Sequence, residues 1–580
     1  MDERRARLEA RFRRAVTGLD TERPIARRPE GVAPPLSFAQ ERLWFMEQFA
    51  PGTGAYVLPA SARLRGPVDV ALLQRRLDAT VARHESLRMT FPAGPDGRPE
   101  VRVAASARVP LRVVDTTSGG DPEEAARRVL SAELARPFDL ATGPLVRATL
   151  VRLAPDDHAL LVAAHHIVTD GWSADLILRE LLNDPGPPPG IGYGDYALWQ
   201  RERLQGDVLD RDLAFWRAEL AGVVPLDLPL DLPRPPVQGM KGGWLDLAVD
   251  AEVAGRLKEL AKAEGATLYM ALLAAFHVLL GRWSGAADFV VGSPVAGRGR
   301  AEFESVVGLF VNLLPMRARL GGNPGFAELL RRTRDGALEV YGHQELPFEK
   351  LVAELDPVRD VSRPQLQVLF ALQSYRAGGE GFALDTTTTR FDLELYVTEA
   401  DDGLAGRFVY NSELFLPETV ERLARRFEAL LRAIVAGPDV PVGELEFLAP
   451  EERAQVVSRW NATEREHPGG TLHGLVFEQA DRTPDATALV FDGDRLTYRE
   501  LAERAREVAA HLLKAGARPD QPVGVRMERE LNLPVVLLGV VAAGCAYLPL
   551  DPADPEDRRQ AMLTDAGANI VLTGFQEYNA

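Results

Sequence analysis

The sequence predicts a mixed α/β protein with more than one domain, and three observations predict it. A chain of 580 residues is too long for one ordinary core. Its 46% hydrophobic and 26% charged residues are those of a globular protein, neither disordered nor fibrous. From Ser37 onward, stretches of helical spacing alternate with apolar runs of strand type.

The elements follow in order. The opening "MDERRARLEARFRRAVTGLD" reads as a short charged helix without the apolar core of an export signal, and "TERPIARRPEGVAPPLS" as a Pro-rich connector. "SFAQERLWFMEQF" and "DVALLQRRLDATVARH" have helical spacing, and "PEEAARRVLSAELARPF" reads as a solvated helix face. "LVRATLVRLA" and "HALLVAAHHIV" read as strands. After the Pro- and Gly-rich 225–243, a second α/β block offers a helix at "TLYMALLAAFHVLLGRW", a buried strand at "ADFVVGSPVAG" and further helices around "PGFAELLRRTRDGALEVYGHQ". Two lobes of similar size are expected, with a change of character near 451–470 and a third unit after it. That unit holds an amphipathic helix, "LTYRELAERAREVAAHLL", and "LPVVLLGVVAAGCAYLPL", read as buried helix and strand because Pro534 and Pro549 bound it too closely for a membrane span.

Charge and cysteine content exclude several functions. A net charge of −17 argues against nucleic acid, whose phosphates are met by Lys and Arg. One cysteine, Cys545, excludes a disulfide framework and a thiolate metal cluster, and fits a reducing cytoplasm. There is no G-x-S-x-G elbow and no G-x-x-x-x-G-K-[ST] phosphate loop.

Chemistry concentrates in "LVAAHHIVTDGW", residues 161–172. On a strand, neighbouring side chains point to opposite faces, so His165 and His166 cannot both serve one cavity. Gly171 offers a sharp turn and Ser173 an N-cap for the following helix, whose first N–H groups favour developing negative charge. A metal is not expected: only Asp170 lies near, and His84 and His343 have no ligand-like partners beside them. Two structural core histidines remain the plain alternative.

The segment "HHIVTDG" resembles the H-H-x-x-x-D-G signature of nonribosomal peptide synthetase condensation domains. Six further segments match that family in order: "SFAQERLWFMEQ" from Ser37, "RHESLRMTF" from Arg83, "YGDYALWQ" from Tyr193, "VGLFVNLLPMR" from Val307, "HQELPFEKLV" from His343 and "RDVSRPQLQVLF" from Arg359. Beyond the linker, "LTYREL" at Leu496 and "VVAAGCAYLPLD" at Val540 resemble the opening motifs of an adenylation domain, without the phosphate loop such a domain needs. The third unit is therefore expected to neither bind ATP nor form adenylates, and to pack on the second lobe.

The resemblance implies a V-shaped, two-lobed chloramphenicol acetyltransferase-like pseudodimer followed by a partial adenylation subdomain. The expected division is 1–35 helix and linker, 36–205 N-lobe, 206–450 C-lobe, 451–470 linker and 471–580 partial adenylation domain. It implies a monomer working with upstream donor and downstream acceptor peptidyl carrier proteins and the rest of the synthetase module, without nucleic acid or membrane. No cofactor is permanently bound; the phosphopantetheine arms of the carriers tether the substrates, and an acceptor amine attacks a donor thioester to form an amide. His166 is then the catalytic histidine, with Gly171 approaching the thioester and its N–H helping to hold the reacting groups. His165 is the structural neighbour, and Asp170 pairs with Arg298 to fix the loop. Arg83, Arg88, Trp172 and Asn312 are candidate motif or tunnel residues, with a packing role expected first for the two arginines.

An L-donor, L-acceptor type is the expected subtype. A cyclization domain would carry D-x-x-x-x-D in place of the histidines, whereas an epimerization domain shares the signature and stays open. Two other classes also stay open: a non-catalytic module that recruits carrier or tailoring proteins, and an acyltransferase using soluble coenzyme A thioesters.

Overall fold

Residues 24–574 are described in a computed structural model, apart from 30, 50–51, 53, 119, 184–185, 356–365, 374–381, 383, 385–387 and 468. The N-terminal helix expected within 1–23, and the residues 359–365 that open "RDVSRPQLQVLF", lie outside the described residues. The chain divides into two compact units, Met1–Val457 and Ser458–Ala580.

In the first unit, strands β1 (Val57–Arg65), β4 (Leu111–Asp115), β5 (Val146–Ala154) and β6 (Asp157–His165) form a sheet in the order β1-β6-β5-β4. Between β1 and β4 lies a small hairpin, β2 (Met89–Thr90) with β3 (Arg102–Val103). The central strand β6 is a near-continuous apolar run because helices cover both faces of the sheet. Leu160, Val162 and Ala164 face a cluster containing Leu77 and Ile177, from helices Val70–Arg83 and Gly171–Leu182. Ala159, Leu161 and Ala163 face Ala126 and Leu130 of helix Pro122–Ala135. This alternation carries β6 inward and delivers its last residue, His165, into the interior.

The second sheet has the order β7-β12-β11-β10-β8-β9. Its strands are β7 (Gly242–Asp250), β8 (Asp288–Val295), β9 (Asn312–Arg319), β10 (Val368–Gln373), β11 (Leu393–Ala400) and β12 (Gly403–Asn411). It is mixed: β10 runs parallel to β8 and β11, and the other pairs are antiparallel. Helix Leu268–Ser284 lies at the centre of this core, and every residue from Met270 to Gly281 is buried. A helix apolar all round is stable only where surrounded. The sheet and helices Phe326–Tyr341 and Pro417–Ala436 supply that surround.

One segment crosses between the cores. Phe303, Val306, Leu309 and Phe310, which precede β9 of the second sheet, pack with Tyr193, Tyr196 and Ile167 of the first half of the chain. Val307 enters the cluster around β6.

The second unit contains the hairpin β13 (Thr487–Phe491) with β14 (Asp494–Thr497). Its parallel sheet has the order β16-β15-β17, from β15 (Pro522–Val525), β16 (Ala546–Pro549) and β17 (Ile570–Leu572). Helix Tyr498–Lys514 turns Leu501, Ala505, Val508 and Leu512 into this unit's core. The apolar stretch around Cys545 is a ten-residue helix, Leu533–Ala542, followed by β16. Among the described residues no single helix is long and apolar enough to cross a membrane.

Candidate active site

His165 closes β6 opposite Val57 of β1, and its N–H donates to Leu145 O at 2.9 Å. The strand ends there. His166 opens a single 3₁₀ turn, His166–Val168, while its N–H still continues the ladder to Tyr56 O at 2.7 Å on the β1 side. The two residues sit at the end of β6, their N–H groups bonded to opposite neighbouring strands as in successive residues of a strand.

Their hydrogen bonds differ in kind. The Nδ1 of His165 accepts the Ile167 N–H at 3.1 Å, which places the proton of the neutral ring on Nε2. That Nε2 is sealed from solvent, 3.8 Å from Glu47 Oε2, and the ring meets Phe138 edge-on at 6.2 Å. His166 has the opposite tautomer. Its Nδ1–H donates to Thr169 O at 2.8 Å, leaving the Nε2 lone pair without a partner among the described residues. His166 is also the less enclosed of the two, 9% exposed against 2%. Burial, and then the charge of Arg390, push the His166 imidazole down to about 4; the Thr169 carbonyl and Asp170 pull it up.

Asp170 caps helix Gly171–Leu182 by accepting the Ser173 N–H at 2.8 Å. The cap expected at Ser173 therefore lies three residues earlier. Both residue types cap well, and the extended backbone of Asp170 decides between them. Ser173 instead links the lobes: its Oγ donates to Gly308 O at 2.8 Å and accepts from Gly308 N at 3.0 Å. Asp170 also accepts from Phe310 N at 2.9 Å, from Val311 N at 3.2 Å and from Arg298 Nη2 at 3.2 Å. Arg298 is held in turn by the carbonyls of Phe303 and Val306 and lies 4.0 Å above the Phe310 ring. The charges are thus paired and hydrogen-bonded, as burial requires.

Gly171 is the first residue of this helix. Its backbone is not in the left-handed region, so glycine is not required there for a sharp turn. A Cβ at that position would meet nothing within 4 Å. What glycine supplies is room beside the histidine loop.

The remaining candidates take up structural contacts. Arg83 donates to the carbonyls of Gly186 and Pro187 at 2.7 and 2.8 Å and lies 3.7 Å from Glu180. Arg88 reaches the carbonyls of Val81 and Ala104. The Trp172 indole N–H donates to Glu304 O at 3.0 Å. Asn312 is fully engaged: Nδ2 donates to Gln344 O and Leu346 O, both at 2.8 Å, and Oδ1 accepts from Leu313 N and Phe348 N. It lines a small cavity of about 50 Å³ walled by Tyr196, Trp199, Phe303, Phe310 and Glu345, which neither histidine borders.

Two residues near the histidines carry no motif that would mark them in the sequence. Tyr56 supplies the carbonyl that holds the His166 N–H at the end of the ladder, and Arg390 places its guanidinium carbon 5.4 Å from the Tyr56 ring centre. Arg390 lies in "TTTTRFDLELY", just before β11, where its one signal is a lone arginine ahead of an apolar strand.

Comparison with known proteins follows the same division of the chain. The family described as Condensation domain matches residues 32–457, and the family described as AMP-binding enzyme matches 476–580. A linear gramicidin synthase of Brevibacillus parabrevis is 41% identical over 95% of this chain, which spans 7% of that protein. Phosphinothricin tripeptide synthetase PhsB of Streptomyces viridochromogenes is 41% identical over 95% of the chain, which spans 49% of it. In structure, a four-domain nonribosomal peptide synthetase crystallised with AMP and glycine matches 96% of this chain at TM-score 0.80 and 25% identity, with 44% of its own chain covered.

Proposed function

This chain belongs to the condensation-domain family of nonribosomal peptide synthetases and continues into the start of an AMP-binding domain, and on that premise we propose that its first unit joins a carrier-bound acyl or peptidyl thioester to the amine of a carrier-bound aminoacyl group. The observation that carries this reading is the tautomer of His166. Thr169 O takes the Nδ1 proton, so Nε2 presents a lone pair to an incoming N–H.

At neutral pH on the order of a tenth of an α-amine is already uncharged. An imidazole pushed down to about 4 is a weak base but still a hydrogen-bond acceptor, suited to orienting that neutral amine. The amine lone pair forms the C–N bond, the C–S bond breaks, and the amine proton leaves with the departing phosphopantetheine thiol by way of Nε2. Gly171 leaves open space beside the loop, and its N–H lies at the start of a helix, where negative charge is favoured.

The substrates are read as arriving on the arms of an upstream donor and a downstream acceptor carrier domain, with an L-donor and an L-acceptor. The solitary thiol, buried Cys545, fits a reducing compartment such as the cytoplasm.

A reconstitution with separately loaded donor and acceptor carrier proteins tests the reading by intact-protein mass spectrometry. The acceptor carrier is expected to gain the donor acyl mass while the donor carrier returns to its free-thiol mass. Transfer from a soluble coenzyme A thioester with none from a carrier-bound donor would identify a different acyltransferase.

A further inference from the structure

Residues 388–392, just before β11, are tied down by backbone contacts. Thr388 bridges Lys241, the Thr389 N–H donates to Met240 O at 3.0 Å, and the Thr389 hydroxyl is committed to Phe391 O and Glu394. Arg390 leaves this anchored backbone and lies against the Tyr56 ring, 5.4 Å from its centre. The carbonyl of Tyr56 holds the His166 N–H, so a guanidinium from the second half of the chain and the catalytic histidine share one residue.

Arg390 has no carboxylate within ion-pair distance among the described residues. The nearest in sequence are taken: Asp392 pairs with Arg234 at 2.5 Å, and Glu394 accepts from Thr389 and from Tyr396 at 2.6 Å. The buried Arg298 shows the contrast, since Asp170 balances it. A half-buried guanidinium pays for its lost hydration without recovering it from an acid, and its five N–H donors fit an oxygen that gains negative charge.

We propose that Arg390 is a catalytic residue of the condensation, donating to the thioester carbonyl oxygen and stabilising the negative charge that develops there as the amine adds. The step rests on the function proposed above. The amine lone pair makes the C–N bond, and the C=O π pair moves onto the oxygen facing Arg390. The N–H proton is held at His166 Nε2. When the C=O bond re-forms, the C–S bond breaks and the thiolate takes that proton. A cation beside a developing oxyanion lowers such barriers by stabilising the charge that forms. Arg390 is also one of the charges that push the His166 imidazole down.

The test uses the full chain with loaded carriers, comparing Arg390→Met and Arg390→Lys with the unaltered protein. Single-turnover condensation in Arg390→Met is expected to fall about 100- to 1,000-fold, with carrier affinity and melting temperature unchanged. The lysine variant should recover part of the rate, since it restores the charge without the fork. His166, followed through its ¹³Cε1 resonance assigned with His166→Gln, should titrate at a higher pH in the methionine variant, by about half a unit or more. A wild-type rate in Arg390→Met overturns the proposal, and so does a slowed variant whose His166 titration is unmoved. If the unaltered protein fails to condense carrier-bound substrates, the reading of function fails instead, and the histidine titration still reports whether Arg390 faces His166.

Discussion

Arg298 Nη2 lies 3.2 Å from an Asp170 carboxylate oxygen and 2.7 Å from Ser173 Oγ, with both ion-pair side chains 2% exposed. The carboxylate also takes three backbone N–H groups, from Ser173, Phe310 and Val311. It is a fastening and not a relay, because no hydrogen bond joins it to His166. Asp170→Asn and Arg298→Ala should each destabilise the fold by about 3–5 kcal/mol, since either strands a buried charge or its donors. The double variant should lose less than the sum. Denaturant titrations of the four proteins measure the coupling, and strict additivity would contradict the pairing.

His166→Ala is expected to remove most condensation activity while leaving the melting temperature nearly unchanged. His165→Ala should do the reverse. It leaves the buried Ile167 N–H unpaired and opens a void beside Phe138, costing about 1–3 kcal/mol. Melting curves beside single-turnover rates separate the two, and equal activity loss in two equally stable variants would refute the division.

Gly171→Ala should fold as well as the parent. Its Cβ meets nothing within 4 Å, the backbone is not left-handed, and alanine favours helix. The same methyl group would occupy the room beside the histidine loop, so the condensation rate should fall while the melting temperature holds or rises. A variant with full activity would show that the open space is not used.

Acid should weaken the fold through two buried histidines. Burial pushes His277 down to about 3, and burial and Arg390 push His166 down to about 4. In the unfolded chain both bind protons below about pH 6.5, so stability is constant above that value and declines as pH falls from 6.5 towards 4. The His166 contribution is about 3 kcal/mol when the decline is complete. His277 sits in the core helix with neither ring nitrogen partnered among the described residues. His277→Leu should therefore flatten the decline between pH 7.5 and 5, as read by urea titration. An unchanged slope would show that His277 does not drive it.

The sequence was most legible where a short-range pattern decides the outcome. The near-continuous apolar runs of β6 and of helix Leu268–Ser284 announce buried elements, and the strand-loop-helix passage through His165, His166 and Gly171 is local. What it hid depends on partners distant in the chain. Asn312 reads as a polar residue free to line a tunnel until Gln344, Leu346 and Phe348 are seen to consume its amide. Arg390 reads as one more surface arginine until Tyr56 is beneath it. The cap shows a subtler limit: Asp170 and Ser173 have equal chemical claims, and only the backbone at Asp170 resolves them.

The segment from Phe303 to Val311 belongs by sequence to the second half of the chain, yet its aromatic rings lie in the first core and its N–H groups hold Asp170. Mechanically it is an axle driven through the neighbouring lobe. If the lobes rock against each other, displacement grows with distance from that axle, so their outer rims swing widest. His166 is tied to the same place, since its Nδ1–H donates to the carbonyl of Thr169 beside Asp170. On the function proposed above, such rocking would move the rims where carriers dock and leave the histidine loop in place.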